Sequence, residues 1–276
     1  MFGPVSFVRN SLTALFAGIM LAWSPISVAE TEITVGVYHF PPVASVGPDG
    51  KPTGLLGDLL EELEQTHEDI SFRVVHTSPK RRFLDFDAKL YDVMIFECPD
   101  WGWRDKKEVS ISRPILADED FYVALRKPGR DLSFFDDLPN HSIVVISGYH
   151  YGFAGYETDS SVLEQKFRIE FSDSHSRNLK LIKADRPSVA EVAVISRSYL
   201  QMHLAKHPED RDTLLISDKP DQRYQLGIIA RKDGTASADE ILKLLSPLIK
   251  NGRYQRLVEK WGLRLPADFP TGAEAP

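Results

Sequence analysis

Residues 33–63, ITVGVYHFPPVASVGPDGKPTGLLGDLLEEL, contain the strand-then-helix pattern that the rest of the chain repeats. The run at 33–37 predicts a strand, which Pro41 and Pro42 end because proline cannot donate a hydrogen bond to a sheet. At 55–63, leucines at helical spacing predict a helix with one apolar face and acidic residues on the others. A strand followed by a helix is the building unit of a parallel sheet that helices cover.

The same alternation continues to the last predicted helix. Strands are predicted at 72–76, 93–96, 123–125, 143–146, 192–195 and 225–230, and helices at 82–90, 161–167, 238–248 and 254–261. This alternation predicts an α/β fold with a mostly parallel sheet. In such sheets ligands bind beyond the carboxyl ends of the strands, so we expect a functional site in the loops there.

Length and composition limit the kinds of protein that the chain can encode. The 276 residues are 42% hydrophobic and 26% charged, which fits a packed core and excludes a disordered or disulfide-scaffolded chain. The formal net charge of −7 argues against a nucleic-acid or anionic-membrane binder, since both need a dense basic face. A single cysteine, Cys98, excludes an internal disulfide and a cysteine-based metal site.

Residues 1–29 are predicted to be a signal peptide. Arg9 precedes an apolar stretch at 12–23, Pro25 follows this stretch, and Ala29 ends a small-residue motif of the type that signal peptidase cleaves. The stretch is shorter than the roughly 20 apolar residues that a transmembrane helix needs. We therefore expect cleavage after Ala29 and export to a bacterial periplasm.

Several separated motifs resemble those of the bacterial extracellular solute-binding proteins, family 3, the polar amino acid-binding class. They include an opening strand with an aromatic-proline turn, a glycine-rich entry into the first helix, and a C-terminal signature that ends at a tryptophan-glycine pair. The matching segments, in chain order, are 33–42, 50–59, 91–95, 104–114, 132–148 and 251–262. The order and spacing of these motifs, which cover nearly the whole predicted mature chain, carry the resemblance.

The resemblance implies a periplasmic-binding-protein-like type II fold, with two α/β lobes joined by a two-strand hinge. Lobe 1 would comprise 30–120 and 226–265, lobe 2 would comprise 121–225, and 266–276 would be a flexible tail. A small polar, carboxylate-bearing and amino acid-like ligand would bind between the lobes and stabilise their closed form.

The resemblance also implies partners. A monomer of this family would present its ligand to an inner-membrane ABC permease. The alternative is a binding protein that reports to a sensor or serves a pathway without transport. Neither needs a cofactor or a catalytic residue, and we expect none.

Arg104 is the first candidate contact for the ligand carboxylate, because it lies where the family motif has the arginine that binds this group. A guanidinium can grip a carboxylate through two parallel hydrogen bonds. Phe40 aligns with the aromatic residue that lies against the ligand side chain in the family. Gly148 and Tyr149 follow a strand and are predicted to open a helix whose N–H groups receive a carboxylate. The alternatives are a solvated Arg104 and a core position for Phe40.

Two segments depart from the family pattern. Ser196 stands where family members carry the aspartate that binds the ligand ammonium, and a hydroxyl cannot replace a carboxylate there without loss. Glu97 or Asp100 could supply the missing negative charge; alternatively, the ligand is not an α-amino acid. Trp101 could form a wall for an apolar, aromatic or cationic ligand, or it could pack in the core.

Three further patterns remain open. Arg82 lies in a basic run that opens a helix and is a second candidate anion contact, with a basic surface run as the alternative. An enzyme of the dehydratase type on the same fold would use Glu97 and Glu191 as acid and base. His203 and His207 are spaced four apart on a predicted helix, but without a third ligand we expect no metal site.

Overall fold

The computed structural model describes residues 30–270, together with Met1 and Gly3. The cleavage motif before Glu30 and the apolar stretch of the predicted signal peptide lie outside the described residues, as do residues 271–276 of the predicted tail. No helix within the described part of the chain is long and apolar enough to cross a membrane.

Strands and helices alternate along the described chain. The strands are β1 Thr31–Val37, β2 Ser45–Val46, β3 Pro52–Thr53, β4 Ile70–His76, β5 Val93–Glu97, β6 Val109–Ile111, β7 Leu116–Leu125, β8 Ser142–Ile146, β9 Arg168–Ser172, β10 Val192–Ser196 and β11 Leu214–Arg231. The α-helices are α1 Leu55–Thr66, α2 Arg82–Asp87, α3 Ser160–Lys166, α4 His175–Lys183, α5 Arg197–Lys206, α6 Asp210–Thr213, α7 Ala238–Lys250 and α8 Arg253–Lys260. Leu132–Asn140 and Gly152–Ala154 form 3₁₀-helices.

The long strands β7 and β11 join two α/β lobes. The main sheet runs in the order β4-β1-β5-β11-β7-β10-β8-β9, with β6 paired to β11. β1 is parallel to β4 and β5 in lobe 1, and β8 is parallel to β9 and β10 in lobe 2. Between these groups β7 and β11 pair antiparallel with each other and form the two-strand hinge.

Each lobe has its own buried core. In lobe 1 the leucines of α1, among them Leu59 and Leu63, pack in one cluster with Val35 of β1. In lobe 2 the successive side chains of β8 enter two clusters, Val144 with one and Val145 with the other. Because neighbouring residues of a strand point to opposite faces, both faces of the lobe 2 sheet are covered, which explains its continuous apolar strands.

Two segments differ from the sequence-based prediction. No helix opens at Gly148: the backbone there is left-handed, with φ of 81°, and the next α-helix begins only at Ser160. The carboxylate of Asp221 instead accepts hydrogen bonds from the N–H groups of Gly152 and Phe153, which holds the loop in a single 3₁₀ turn.

The beginning of the predicted flexible tail, residues 266–270, has a defined path against lobe 1. The ring of Phe269 lies 5.6 Å from that of Tyr254, centroid to centroid, and Tyr254 is fully buried. An apolar side chain that leaves water in this way stabilises the position of its backbone.

Candidate functional site

A cavity between the two lobes brings together five of the predicted site residues. Lobe 1 contributes Phe40, Arg82 and Trp101, and lobe 2 contributes Gly148 and Tyr149. The remaining lining residues are Tyr38, Pro79, Asp120, His150 and Tyr224. The free volume is about 10 Å³, which is room for about one water molecule, so the lobes are closed on each other in this structure.

The strand ends position these side chains. Phe40 follows the end of β1 by three residues, and Trp101 follows the end of β5 by four. Gly148 lies two residues after the end of β8. The carboxyl ends of these parallel strands from the two lobes face one another across the hinge, which is where α/β sheets bind ligands.

Arg82 and Glu97 form an ion pair in the interior beside this cavity. Their side chains are 2% and 1% exposed, and Nε of Arg82 lies 3.3 Å from Oε1 of Glu97. The hydroxyl of Tyr38 donates to Oε2 of Glu97 at 3.1 Å. Burial raises the pKa of Glu97 above its ordinary value, although the Arg82 guanidinium lowers it. Glu97 is therefore the ion-pair partner of Arg82 in this structure.

Arg82 retains hydrogen-bonding capacity toward the cavity. Its Nη1 donates to the carbonyl of Pro79, and its Nη2 lies 3.2 Å from Nδ1 of His150. A guanidinium has five N–H groups; the Nε–H of Arg82 faces Glu97, and each Nη carries a second N–H besides the one used in these two contacts. The cavity therefore has a buried cationic donor on its lobe 1 side.

Aromatic side chains from both lobes fill the space around Arg82. The ring of Phe40 lies 5.7 Å from Tyr149 and 6.0 Å from Trp101, edge to face in both cases. Trp101 stacks on His150 with centroids 5.9 Å apart and ring planes 10° apart. The hydroxyl of Tyr149 donates to the carbonyl of His39 at 2.5 Å. The walls of the cavity are thus contacts between the lobes.

Asp120, which the sequence analysis did not select, lines the same cavity from hinge strand β7. Its carboxylate accepts hydrogen bonds from Nε2 of Gln222 at 2.8 Å and from the hydroxyl of Tyr224 at 3.3 Å. Burial, and then the neighbouring Asp221 and Asp118, raise the pKa of Asp120 well above its ordinary value. The available signal was the acidic run 117–120, Ala-Asp-Glu-Asp, which ends three positions before the start of the strand predicted at 123–125.

Ser196 caps a helix. It is 1% exposed, and its hydroxyl accepts a hydrogen bond at 3.4 Å from the backbone N–H of Tyr199 in the first turn of α5. It does not line the cavity, but it lies directly opposite Asp120 in the antiparallel pairing of β10 with β7.

Arg104 and Asp100 lie together, apart from the residues above. They form a surface ion pair with side chains 64% and 56% exposed. Both line a second, open cavity of about 700 Å³ beside the hinge strands, the outer cavity, which Arg197 and Arg223 also line. Tyr224 borders both cavities.

The candidate acid–base residues and the candidate metal ligands lie away from the cavity or are bound to other groups. Glu191 accepts a hydrogen bond at 3.2 Å from the backbone N–H of Ser142, where β8 and β10 begin, whereas Glu97 ends β5 beside the cavity. The two carboxylates thus lie at opposite strand ends and do not face each other across the cavity. His203 contacts Asp210 at 2.6 Å. Within residues 30–270 no group of three or more histidine, cysteine or acidic side chains is arranged to hold a metal ion.

Solved structures with the same fold include three of particular interest. An ABC uptake transporter substrate-binding protein from Streptococcus pneumoniae with bound histidine is 18% identical, with a TM-score of 0.66 over 84% of this chain and 92% of that one. A histidine kinase sensor domain is 15% identical, with a TM-score of 0.66 over 87% and 99%. An ancestral amino acid-binding protein, a precursor of cyclohexadienyl dehydratase, is 18% identical, with a TM-score of 0.60 over 84% and 95%.

At these identities the likeness shows the fold, that of the type II periplasmic binding proteins. A comparison with curated protein sequences found no significant match. The sequence itself matches one family model over residues 33–264, which is most of the chain. The protein therefore belongs to the bacterial extracellular solute-binding proteins, family 3.

Proposed function

We propose that the protein captures a small, carboxylate-bearing, amino acid-like ligand between its lobes, with Arg82 binding the carboxylate. The observation that carries the proposal is the guanidinium of Arg82, which is buried, lines a cavity walled largely by aromatic rings and reaches His150 of lobe 2 through Nη2. A guanidinium binds carboxylates through charge-assisted hydrogen bonds, and burial protects these from screening by salt. Membership of a family of amino acid binders supports the ligand class.

Arg104, the other candidate for this contact, is less suited to it. Its side chain is mostly exposed and is already paired with Asp100. Exposed ion pairs contribute only about 0 to 1 kcal/mol, because water and salt compete for both charges. We therefore assign the carboxylate to Arg82 and leave Arg104 to the outer cavity.

The ligand enters when the lobes separate. Pockets that hold small molecules have volumes of roughly 300 to 1,000 Å³, far above that of the closed cavity. Separation breaks the contact between Arg82 and His150 and the hydrogen bond from Nζ of Lys80 to the hydroxyl of Ser160, at 3.1 Å. A ligand that contacts both lobes replaces these interactions and stabilises the closed form.

We propose the lobe boundaries given above, 30–120 with 226–265 and 121–225. Each boundary falls inside a hinge strand, β7 or β11, so lobe rotation would bend these two strands and leave both cores unchanged.

For the cellular role, we propose a periplasmic monomer that presents its closed, liganded form to an inner-membrane ABC permease. Removal of residues 1–29 would precede this role. The family and the transporter-associated relative from Streptococcus pneumoniae support a transport role. A sensor partner is the alternative, and the separation of Glu97 from Glu191 argues against an enzyme that uses these two residues.

Native mass spectrometry of the chain from Glu30, incubated with the twenty common L-amino acids, tests the ligand class. We expect one amino acid bound per chain. Ligand at 100 times its dissociation constant should also add about 2.7 kcal/mol to the free energy of unfolding, which a thermal-shift assay detects. If no amino acid binds, the proposed ligand class is wrong.

Two matched substitutions test the assignment of the carboxylate. Arg82→Lys keeps a positive charge beside Glu97 but loses the planar fork, so we expect at least about a tenfold loss of affinity for the bound amino acid. Arg104→Lys makes the same chemical change in the outer cavity and should leave affinity within about twofold. The opposite pattern would assign the carboxylate to Arg104.

A further inference from the structure

Asp120 is a buried carboxylate without a cationic partner. It is 7% exposed, and the hydrogen bonds that its side chain accepts from other side chains come from the neutral groups of Gln222 and Tyr224. No lysine, arginine or histidine nitrogen of the described residues lies within ion-pair distance of it. Buried carboxylates are normally paired, because an isolated charge in the interior is costly.

The cavity offers a ligand one unpaired carboxyl group. Arg82 is matched by Glu97 within lobe 1, whereas Asp120 has no cationic partner among the described residues. A positive charge next to Asp120 would stabilise its ionised form, which burial otherwise disfavours. The faces of Phe40, Trp101 and Tyr224 add an environment that attracts cations.

The position of Asp120 also compensates for the lack of a carboxylate at position 196. The two residues are directly opposite in the pairing of β7 with β10. Side chains of residues directly opposite in an antiparallel pair project from the same face, with Cβ atoms roughly 4.5 to 5.5 Å apart. The carboxyl group that position 196 lacks is therefore present on the neighbouring strand, at Asp120.

We propose that Asp120, on the hinge strand opposite Ser196, binds the ammonium group of the ligand. This inference rests on the proposed function. Arg82 on the lobe 1 side and Asp120 on the hinge then hold the two charged groups of one ligand, with the aromatic rings around its side chain.

The electrostatic surroundings of Asp120 give this proposal a second readout. Burial, then Asp221 and Asp118, raise the pKa of Asp120, while the hydrogen bonds from Gln222 and Tyr224 lower it, and a bound ammonium would favour its charged form and release a proton. The titratable groups facing it are Asp118 and Tyr122 on its own strand, Asp221 and Tyr224 on β11, and Tyr149, His150 and Tyr151 from the loop after β8, with Arg82 across the cavity.

Isothermal titration calorimetry with matched probes tests the inference. Each L-amino acid is compared with the 2-hydroxy acid of the same side chain, in which a hydroxyl replaces the ammonium. We expect the wild-type protein to prefer at least one amino acid by about 100-fold, and Asp120→Asn to reduce that preference to below about tenfold. Glu119→Gln, an adjacent acid that faces the outer cavity, is the control and should keep the preference.

The pH dependence separates binding from a structural role. Between about pH 5 and about pH 8, wild-type affinity for the amino acid should rise with pH, because binding releases the proton of Asp120. In Asp120→Asn this rise should be lost, and in Glu119→Gln it should remain.

The outcomes distinguish this inference from the proposed function. Equal binding of a 2-hydroxy acid and its amino acid by the wild type would leave the proposed function standing and overturn the role of Asp120. An unchanged preference in Asp120→Asn would do the same. Failure of every probe to bind the wild type would overturn both.

Discussion

Asp120 carries a stability cost that a structural residue would not. A carboxyl whose folded-state pKa is raised contributes its full stability only below the unfolded pKa, near 3.9, and loses it as pH rises through the folded pKa. At neutral pH the wild-type protein without ligand is therefore destabilised by this group. Such a cost is typical of binding residues, which are optimised for the ligand and not for folding.

Asp120→Asn should consequently raise the melting temperature of the unliganded protein at neutral pH. Each kcal/mol gained corresponds to about 2 to 4 °C for a chain of this size. The gain should shrink as pH falls and be lost at about pH 3, where the carboxyl is largely protonated in both states. Scanning calorimetry at the two pH values measures it, with Glu119→Gln as the control. A lower melting temperature at neutral pH would show that Asp120 serves the fold.

The sequence predicted individual site residues unevenly. Phe40, Trp101 and Gly148 follow strand ends, and the structure brings them to one cavity because parallel strands of an α/β sheet end on one side. Asp120 was missed because the predicted strand began at 123. The sequence therefore did not show that Asp118 and Asp120 lie on the same, buried face of this strand. The burial of Arg82 depends on Glu97, a long-range pairing that no local pattern reveals.

At the scale of elements, the loop after β8 controls how closely the lobes approach. A Cβ atom added at Gly148 would lie 2.7 Å from Cγ and 3.0 Å from the backbone nitrogen of Lys80, which lies just before α2 in lobe 1. The glycine is thus needed both for its left-handed backbone and for the close contact between lobes.

Gly148→Ala should weaken amino acid binding by about tenfold, because the added methyl group opposes full closure. Gly155→Ala is the matched control: its backbone is also left-handed, but no atom lies within 4 Å of the added Cβ. Both variants should lose about 1 kcal/mol of stability from backbone strain. Calorimetric titration that shows the same affinity in the two variants would contradict the account of closure.

Elements themselves were predicted better than their exact starts. Amphipathic helices such as α1 and α7 have long periodic apolar faces, so their existence could be inferred from the sequence. The helix expected at Gly148 does not form, because Asp221, more than 60 residues away in sequence, binds the loop N–H groups. A tertiary contact of this kind overrides local preference.

For the whole molecule, the alternation of strands and helices and the order of the family motifs were sufficient to predict the two-lobed α/β fold. The structure adds that the lobes are closed on a cavity of about 10 Å³ and that the larger, charged cavity lies beside the hinge. Neither follows from sequence, since both depend on the angle between the lobes.

The central claim is that an amino acid is held between the lobes by Arg82, and a distance across the cleft tests it most directly. Spin labels on Leu84→Cys in α2 and Glu164→Cys in α3 report on the two lobes, since both positions are exposed. The native Cys98 should stay unlabelled, because it is buried and its pKa is raised to about 11.

Pulsed electron paramagnetic resonance then measures the distance between the labels with and without the amino acid that native mass spectrometry identifies. We predict a broad distribution without ligand that becomes narrower and shorter when the amino acid is added, and no such change in Arg82→Lys at the same ligand concentration. An unchanged distribution in wild-type protein with the amino acid bound would contradict the account, because the ligand would then lie outside the cleft.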